Sequence, residues 1–111
     1  MHRLICIHPR IVNIHHGIDL GERSYAIAIG TGLIGGAGSY ADLPRASQAL
    51  IVSNTTVAPV YAQQVRAALT AQYQQVHVLA LPDGEAFKTW ETLQLIFDAL
   101  LTHGCDRKTV L

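Results

Sequence analysis

Charge and cysteine are scarce in this chain. Its 111 residues hold eight Lys and Arg against eight Asp and Glu, 14% charged in all, and two cysteines. The balanced charge removes any global field that would draw the chain to nucleic acid or an anionic membrane. Neither is expected as a partner, and recognition must come from a local site. Cys6 and Cys105 lie far apart without CxxC spacing, which excludes a disulfide scaffold and makes a reducing cytoplasm the expected compartment. No apolar run approaches the ~18 residues of a membrane span. The segment Met1 to Ile14 is interrupted by His2, Arg3, His8, Pro9, Arg10 and Asn13, so it lacks the apolar stretch of a signal peptide. Six histidines are present, but none pairs with an acid at helical i, i+4 spacing, so no metal site is expected in the chain. GxSxG, P-loop and Cys/His nucleophile patterns are missing too.

What the chain has in quantity is hydrophobic residues, half of its length, enough for one core of a small domain. From Ile14 to Ile29 the apolar residues alternate around Gly21-Glu22-Arg23-Ser24, the period of two half-buried strands joined by a turn. A β-hairpin is predicted, its body assigned to residues 18–30, with 1–17 as an extension. Gly30 to Pro44 is rich in small residues and predicts a loop with at most a short helical turn. Gln48 to Ser53 is a short apolar run suited to a strand covered on both faces. Asn54-Thr55-Thr56 offers helix caps and Pro59 fits a first helical turn. Tyr61, Val65, Ala68, Leu69 and Gln72 continue at helical spacing to an end near Tyr73. A strand over Val76 to Leu81 follows. Then comes a helix from Thr89 with the stripe Trp90, Leu93, Ile96, Phe97, Leu100 and Leu101, closed by Gly104. Thr109-Val110-Leu111 opens a third strand. The predicted fold class is α/β: an N-terminal β-hairpin, then a Rossmann-like β-α-β-α-β unit over 48–111 with an incomplete parallel sheet. An apolar triplet entering a sheet at Leu111 predicts a chain that continues beyond it.

Two segments compete as a nucleotide site. Gly30-Thr31-Gly32-Leu33-Ile34-Gly35 matches GxGxxG after a strand, but the fingerprint needs a helix to begin at the glycines, and Gly36, Gly38 and Pro44 oppose one. The acid expected ~20 residues on is replaced by Ser53-Asn54. The stronger candidate is the pair of strand ends, Asn54-Thr55-Thr56 and Asp83-Gly84-Glu85 to Lys88, which right-handed crossovers bring to one edge of a parallel sheet. Asn54, Thr55, Thr56 and Glu85 have the groups to bond ribose hydroxyls, and Glu85 and Lys88, three residues apart, can face one ligand. Helix capping and an ordinary Pro-Asp-Gly turn account for the same residues without a ligand.

Four segments together resemble the N-terminal part of 3-dehydroquinate synthase: Leu20 to Ile27 (LGERSYAI) with Ile29 to Leu33, Val52 to Tyr61 (VSNTTVAPVY), Leu81 to Lys88 (LPDGEAFK), and Ile96 to Leu101 (IFDALL). The resemblance runs from Ile18 to Leu111. Residues 1 to 17 fall outside it, and Ala26 stands where many members carry Pro. It implies a phosphorus–oxygen lyase of the shikimate pathway, in aromatic amino acid biosynthesis, that converts 3-deoxy-D-arabino-heptulosonate 7-phosphate to 3-dehydroquinate and phosphate. It also implies NAD and a divalent metal, zinc or cobalt. By the same resemblance residues 1–111 are a partial NAD-binding domain, Asp83, Gly84, Glu85 and Lys88 belong to the NAD-binding loop, and Asn54, Thr55 and Thr56 approach the adenosine side. Glu85 would accept from ribose hydroxyls and Lys88 would donate to the cofactor. Glu22 and Arg23 also match, though a hairpin turn explains them equally well. The glycine-rich pyrophosphate loop, the catalytic lysines, the metal ligands and the groups for the phosphorylated sugar-acid substrate would lie beyond Leu111, leaving the chain inactive alone. A homodimer is expected. Two other readings remain: the N-terminal domain of a metal-dependent polyol or alcohol dehydrogenase, and a non-catalytic truncated fragment.

Overall fold

A computed structural model of the protein describes residues 2–7 and 14–111, with side chains from Gly17 onward. The chain divides into two compact units, Met1–Pro44 and Arg45–Leu111.

The first unit holds β1 (His2–Ile7), β2 (Ile14–Ile18) and β3 (Tyr25–Gly30) in the order β1-β3-β2. β2 and β3 are the predicted hairpin, antiparallel, with Ile14 opposite Ile29 and Ile18 opposite Tyr25. Their connection is a 3₁₀ turn over Gly21–Arg23. Gly21 takes φ 64°, and its N–H donates to Asp19 Oδ1 at 3.2 Å, so the turn is closed by its own residues. β1 was not predicted. It pairs parallel with the other edge of β3, His2 opposite Tyr25, and a parallel partner leaves no turn signature beside it in the sequence. Beyond β3, the GxGxxG stretch opens no long helix. Only a 3₁₀ turn over Ala37–Tyr40 follows, and the Tyr40 hydroxyl donates to the Ile34 carbonyl at 2.8 Å.

The second unit is the Rossmann-like β-α-β-α-β arrangement: β4 (Gln48–Asn54), α1 (Ala58–Leu69), β5 (Gln75–Leu81), α2 (Trp90–Thr102) and a bridging residue at Val110. β4 and β5 run parallel with aligned ends, Gln48 opposite Gln75 and Asn54 opposite Leu81. Val110 pairs parallel with Ala49: the Leu50 N–H donates to its carbonyl at 2.8 Å, and its own N–H donates to the Gln48 carbonyl at 3.2 Å. β4 is therefore central, with β5 on one side and the incomplete third strand on the other. Its placement explains its composition, since Ala49 and Leu50 are each only 2% exposed.

α1 begins with Pro59 in its first turn, where a missing N–H is harmless, and carries Ala62, Ala67 and Ala68 as strong helix formers. The core joins Ala49, Leu50, Ala62, Ala68, Leu69, Tyr73 and Val76. The predicted helix end near Tyr73 moves back to Leu69. The chain turns there, the Tyr73 N–H donating to the Leu69 carbonyl at 3.0 Å, and Tyr73 enters the core as a turn residue. α2 ends as predicted: Gly104, at φ 62°, donates to Leu101 and Cys105 donates to Leu100, a Schellman closure. The predicted stripe on α2 splits in two. Leu93, Ile96 and Leu100 are partly covered, whereas Trp90, Phe97 and Leu101 are exposed, and no residue of α2 is fully buried. No helix among the described residues is long and apolar enough to cross a membrane.

Candidate functional site

Parallel strands that end in register deliver their following loops to the same sheet edge. The Thr55 N–H extends the ladder by one rung, donating to the Leu81 carbonyl at 2.9 Å, and the two loops are then tied by side chains. Asp83 is the knot. Its Oδ1 accepts from Asn54 Nδ2 at 3.2 Å and its Oδ2 from the Thr56 hydroxyl at 2.6 Å. Asn54 also turns its Oδ1 back to accept the Thr56 and Val57 N–H groups at 3.0 and 2.8 Å. It serves as an Asx turn just ahead of α1, whose first flanking residue is Val57, not one of the predicted polar caps.

Below this polar rim lies an open groove of about 670 Å³, within the usual size of a small-molecule site. Asn54, Asp83, Gly84, Glu85 and Lys88 line it, as the sequence reading grouped them. Thr56 touches the groove only through its bond to Asp83. Thr55 lines a separate groove of about 420 Å³ with Ala58, Arg66 and Val78. The apolar part was not anticipated: Val52, Val57, Phe87, Leu93 and Ile96 line the same space. Sequence alone marks these residues as ordinary core formers. Val52, Val57 and Phe87 nonetheless stay 38%, 42% and 47% exposed, the mark of apolar surface facing a cavity instead of protein.

Gly84 sets the course of the loop, with φ 116° and ψ 155°, a conformation open only to glycine. A 3₁₀ turn over Glu85–Phe87 follows. Glu85 and Lys88 do face the same way, but they meet each other first, Lys88 Nζ to Glu85 Oε1 at 2.6 Å, with 83% and 74% of their side chains exposed. An ion pair so exposed contributes little to stability, and either partner can exchange it for a ligand at small cost.

Both helix starts at this edge are partly occupied by the protein's own side chains. Asn54 takes the donors leading into α1, and Pro59 has none to offer. At α2, Thr89 accepts the Thr92 N–H at 3.3 Å. The Glu91 carboxyl is held below its ordinary pKa by its own backbone N–H and then by the Thr89 hydroxyl. A helix start binds anions through free N–H groups, and these bonds reduce the number on offer here. The rim suits a ligand rich in hydroxyls over an apolar body. Among the described residues no group of three or more His, Cys, Asp or Glu could hold a metal ion.

No protein-family model matches the chain. Among solved structures, a crystal structure of 2-deoxy-scyllo-inosose synthase complexed with carbaglucose-6-phosphate, NAD+ and Co2+ is similar to it, with a TM-score of 0.70 at 20% sequence identity. The similarity covers 86% of this chain and 26% of that one, so the chain spans about a quarter of that protein's length. At this identity the likeness is one of fold.

Proposed function

We propose that the chain is the N-terminal, NAD-binding part of a sugar-phosphate cyclase, and that the whole protein is a 3-dehydroquinate synthase. One observation carries the reading. Two parallel strand ends, locked together through Asp83, frame an apolar groove whose rim offers Asn54, Glu85 and Lys88. The LGERSY, SNTT and PDGEAFK segments give the same reading from the sequence, and the fold is that of an NAD-containing cyclase structure.

The groove fits the adenosine side of the cofactor in size and chemistry. Val52, Val57 and Phe87 offer apolar surface to a base, and Glu85 can accept from ribose hydroxyls once it leaves Lys88. Lys88, so released, donates to the cofactor. Asp83 does not contact the ligand in this reading; it holds Asn54 and Thr56 in place. Bound NAD+ supplies a reversible hydride acceptor, and the protein's part is to orient it. No step through a metal is assigned to the described residues, among which no group of three or more His, Cys, Asp or Glu could hold one. A homodimer belongs to the same proposal.

A second reading, a cyclase acting on a hexose phosphate, is favoured by the carbaglucose-6-phosphate named for the similar structure. In the full-length protein, NAD+-dependent release of phosphate from 3-deoxy-D-arabino-heptulosonate 7-phosphate supports the first reading. Release from glucose 6-phosphate instead supports the second. Glu85→Ala should raise the NAD+ Kd about tenfold, the loss of one hydrogen bond to a charged group. It should move Tm by no more than about 4 °C, because the pair it breaks is exposed. An unchanged Kd would make the turn purely structural.

A further inference from the structure

The other end of the second unit holds a cluster that the groove does not use. Asn54, the last residue of β4, lies six positions beyond Gln48, the first, placing this end roughly 20 Å from the rim. Here the imidazoles of His77 on β5 and His103, just past the last turn of α2, stack with centroids 3.8 Å apart and planes 15° from parallel. Gln48 binds them to the sheet. Its Oε1 lies 2.9 Å from His77 Nε2 and accepts from Cys105 Sγ at 3.4 Å, while its Nε2 donates to the Gly104 carbonyl at 3.3 Å. An amide oxygen can only accept, so His77 donates through Nε2–H and its free lone pair is on Nδ1. A proton arriving at Nδ1 leaves the bond to Gln48 intact. What it changes is the charge of one face of the stack.

α2 is lightly anchored: Leu93, Ile96 and Leu100 are only partly covered, none of its residues is fully buried, and Trp90, Phe97 and Leu101 stand exposed. Its last turn is attached to the sheet through His103, Gly104 and Cys105. We propose that the His77–His103 stack is a proton-sensitive clasp that fastens the C-terminal turn of α2 to β4 and β5 while the rings are neutral, and releases it when both are charged. Like charges face to face at this spacing repel, whereas neutral rings attract. The groups facing His77 reinforce the effect: His103 from the end of α2 and Arg66 from α1 both oppose its protonation, and Gln48 from β4 and the Cys105 thiol carry no charge to offset it. Burial, then His103, then Arg66 hold His77 below its ordinary value of 6.5. The sign follows. The unfolded chain binds this proton more readily, so the clasp is at full strength above about pH 6.5 and weakens as pH falls from there through the folded pKa.

The test is amide hydrogen exchange on the intact protein between pH 5 and 8, corrected for intrinsic rates, read at His103, Gly104 and Cys105 and, as an internal reference, along α1. Protection at the three α2-end amides should drop at least tenfold as His77 titrates, with α1 unchanged. In His103→Gln, whose exposed position tolerates the change, that drop should vanish and the His77 ring should titrate at higher pH. Flat protection in the unsubstituted protein, a drop that persists in His103→Gln, or α1 opening in parallel would each overturn the clasp.

Discussion

Gly84 sits at φ 116° and ψ 155°, in a region that an L-residue with a side chain enters only under strain. The reason is local. A Cβ built there would meet only Phe87 Cδ2, at 3.9 Å, an ordinary contact, so space is available and the backbone alone objects. Holding an alanine in this conformation costs about 1–3 kcal/mol. The lost freedom of the unfolded glycine returns about 0.4–1 kcal/mol. Gly84→Ala should therefore destabilise the chain by up to about 2.6 kcal/mol, with the middle of the range at about 1.3, read as a lower urea midpoint at an unchanged slope. Replacing Gly84 with D-alanine through chemical ligation separates the causes. The D-residue favours this conformation, keeps the unfolded-state gain, and should be neutral or slightly stabilising. If the L and D substitutions destabilise equally, crowding and not backbone strain governs the turn, and the reasoning fails.

Leu50, 2% exposed and the largest fully buried side chain among the described residues, should lose about 2–5 kcal/mol as Leu50→Ala in urea denaturation; a loss under about 1 kcal/mol would mean that the core collapses onto the gap. Thr89→Ala removes the side chain that accepts from Thr92 and should cost about 1 kcal/mol. The same change should bring the Glu91 carboxyl back toward 4.5, followed by side-chain carbon NMR. Because that carboxyl is depressed in the fold, its contribution is present above about pH 4.5 and lost as pH falls through the folded pKa, so the variant should show a shallower acid limb.

The parts of the fold legible in the sequence are those whose signal is local. The hairpin follows from alternation on either side of Gly21, α2 from its apolar spacing and Gly104, and the strand-end loops from Asn54 and Asp83-Gly84. β1 escaped because its partner is β3, reached through a parallel pairing that no neighbouring residue announces. The bond of Asp83 to Thr56 escaped for a similar reason, since it depends on β4 and β5 ending in register. The apolar side of the groove could not be read at all. Val52 and Val57 look like core residues until the structure shows what fails to cover them. The histidines illustrate the same limit. His77 and His103 are scattered in sequence, and only the packing of α2 on β5 brings their rings into contact.

Trp90 is the chain's single tryptophan, 82% exposed, and follows directly on Thr89, which lines the groove. The indole is thus an optical reporter placed by the fold itself. Its emission reads solvent at the start of α2, with no second tryptophan in the chain to blur the signal. A molecule that settles over this end of the groove, or a protein surface that covers the exposed face of α2, should shift that emission to shorter wavelength, so occupancy can be followed by light without attaching a label.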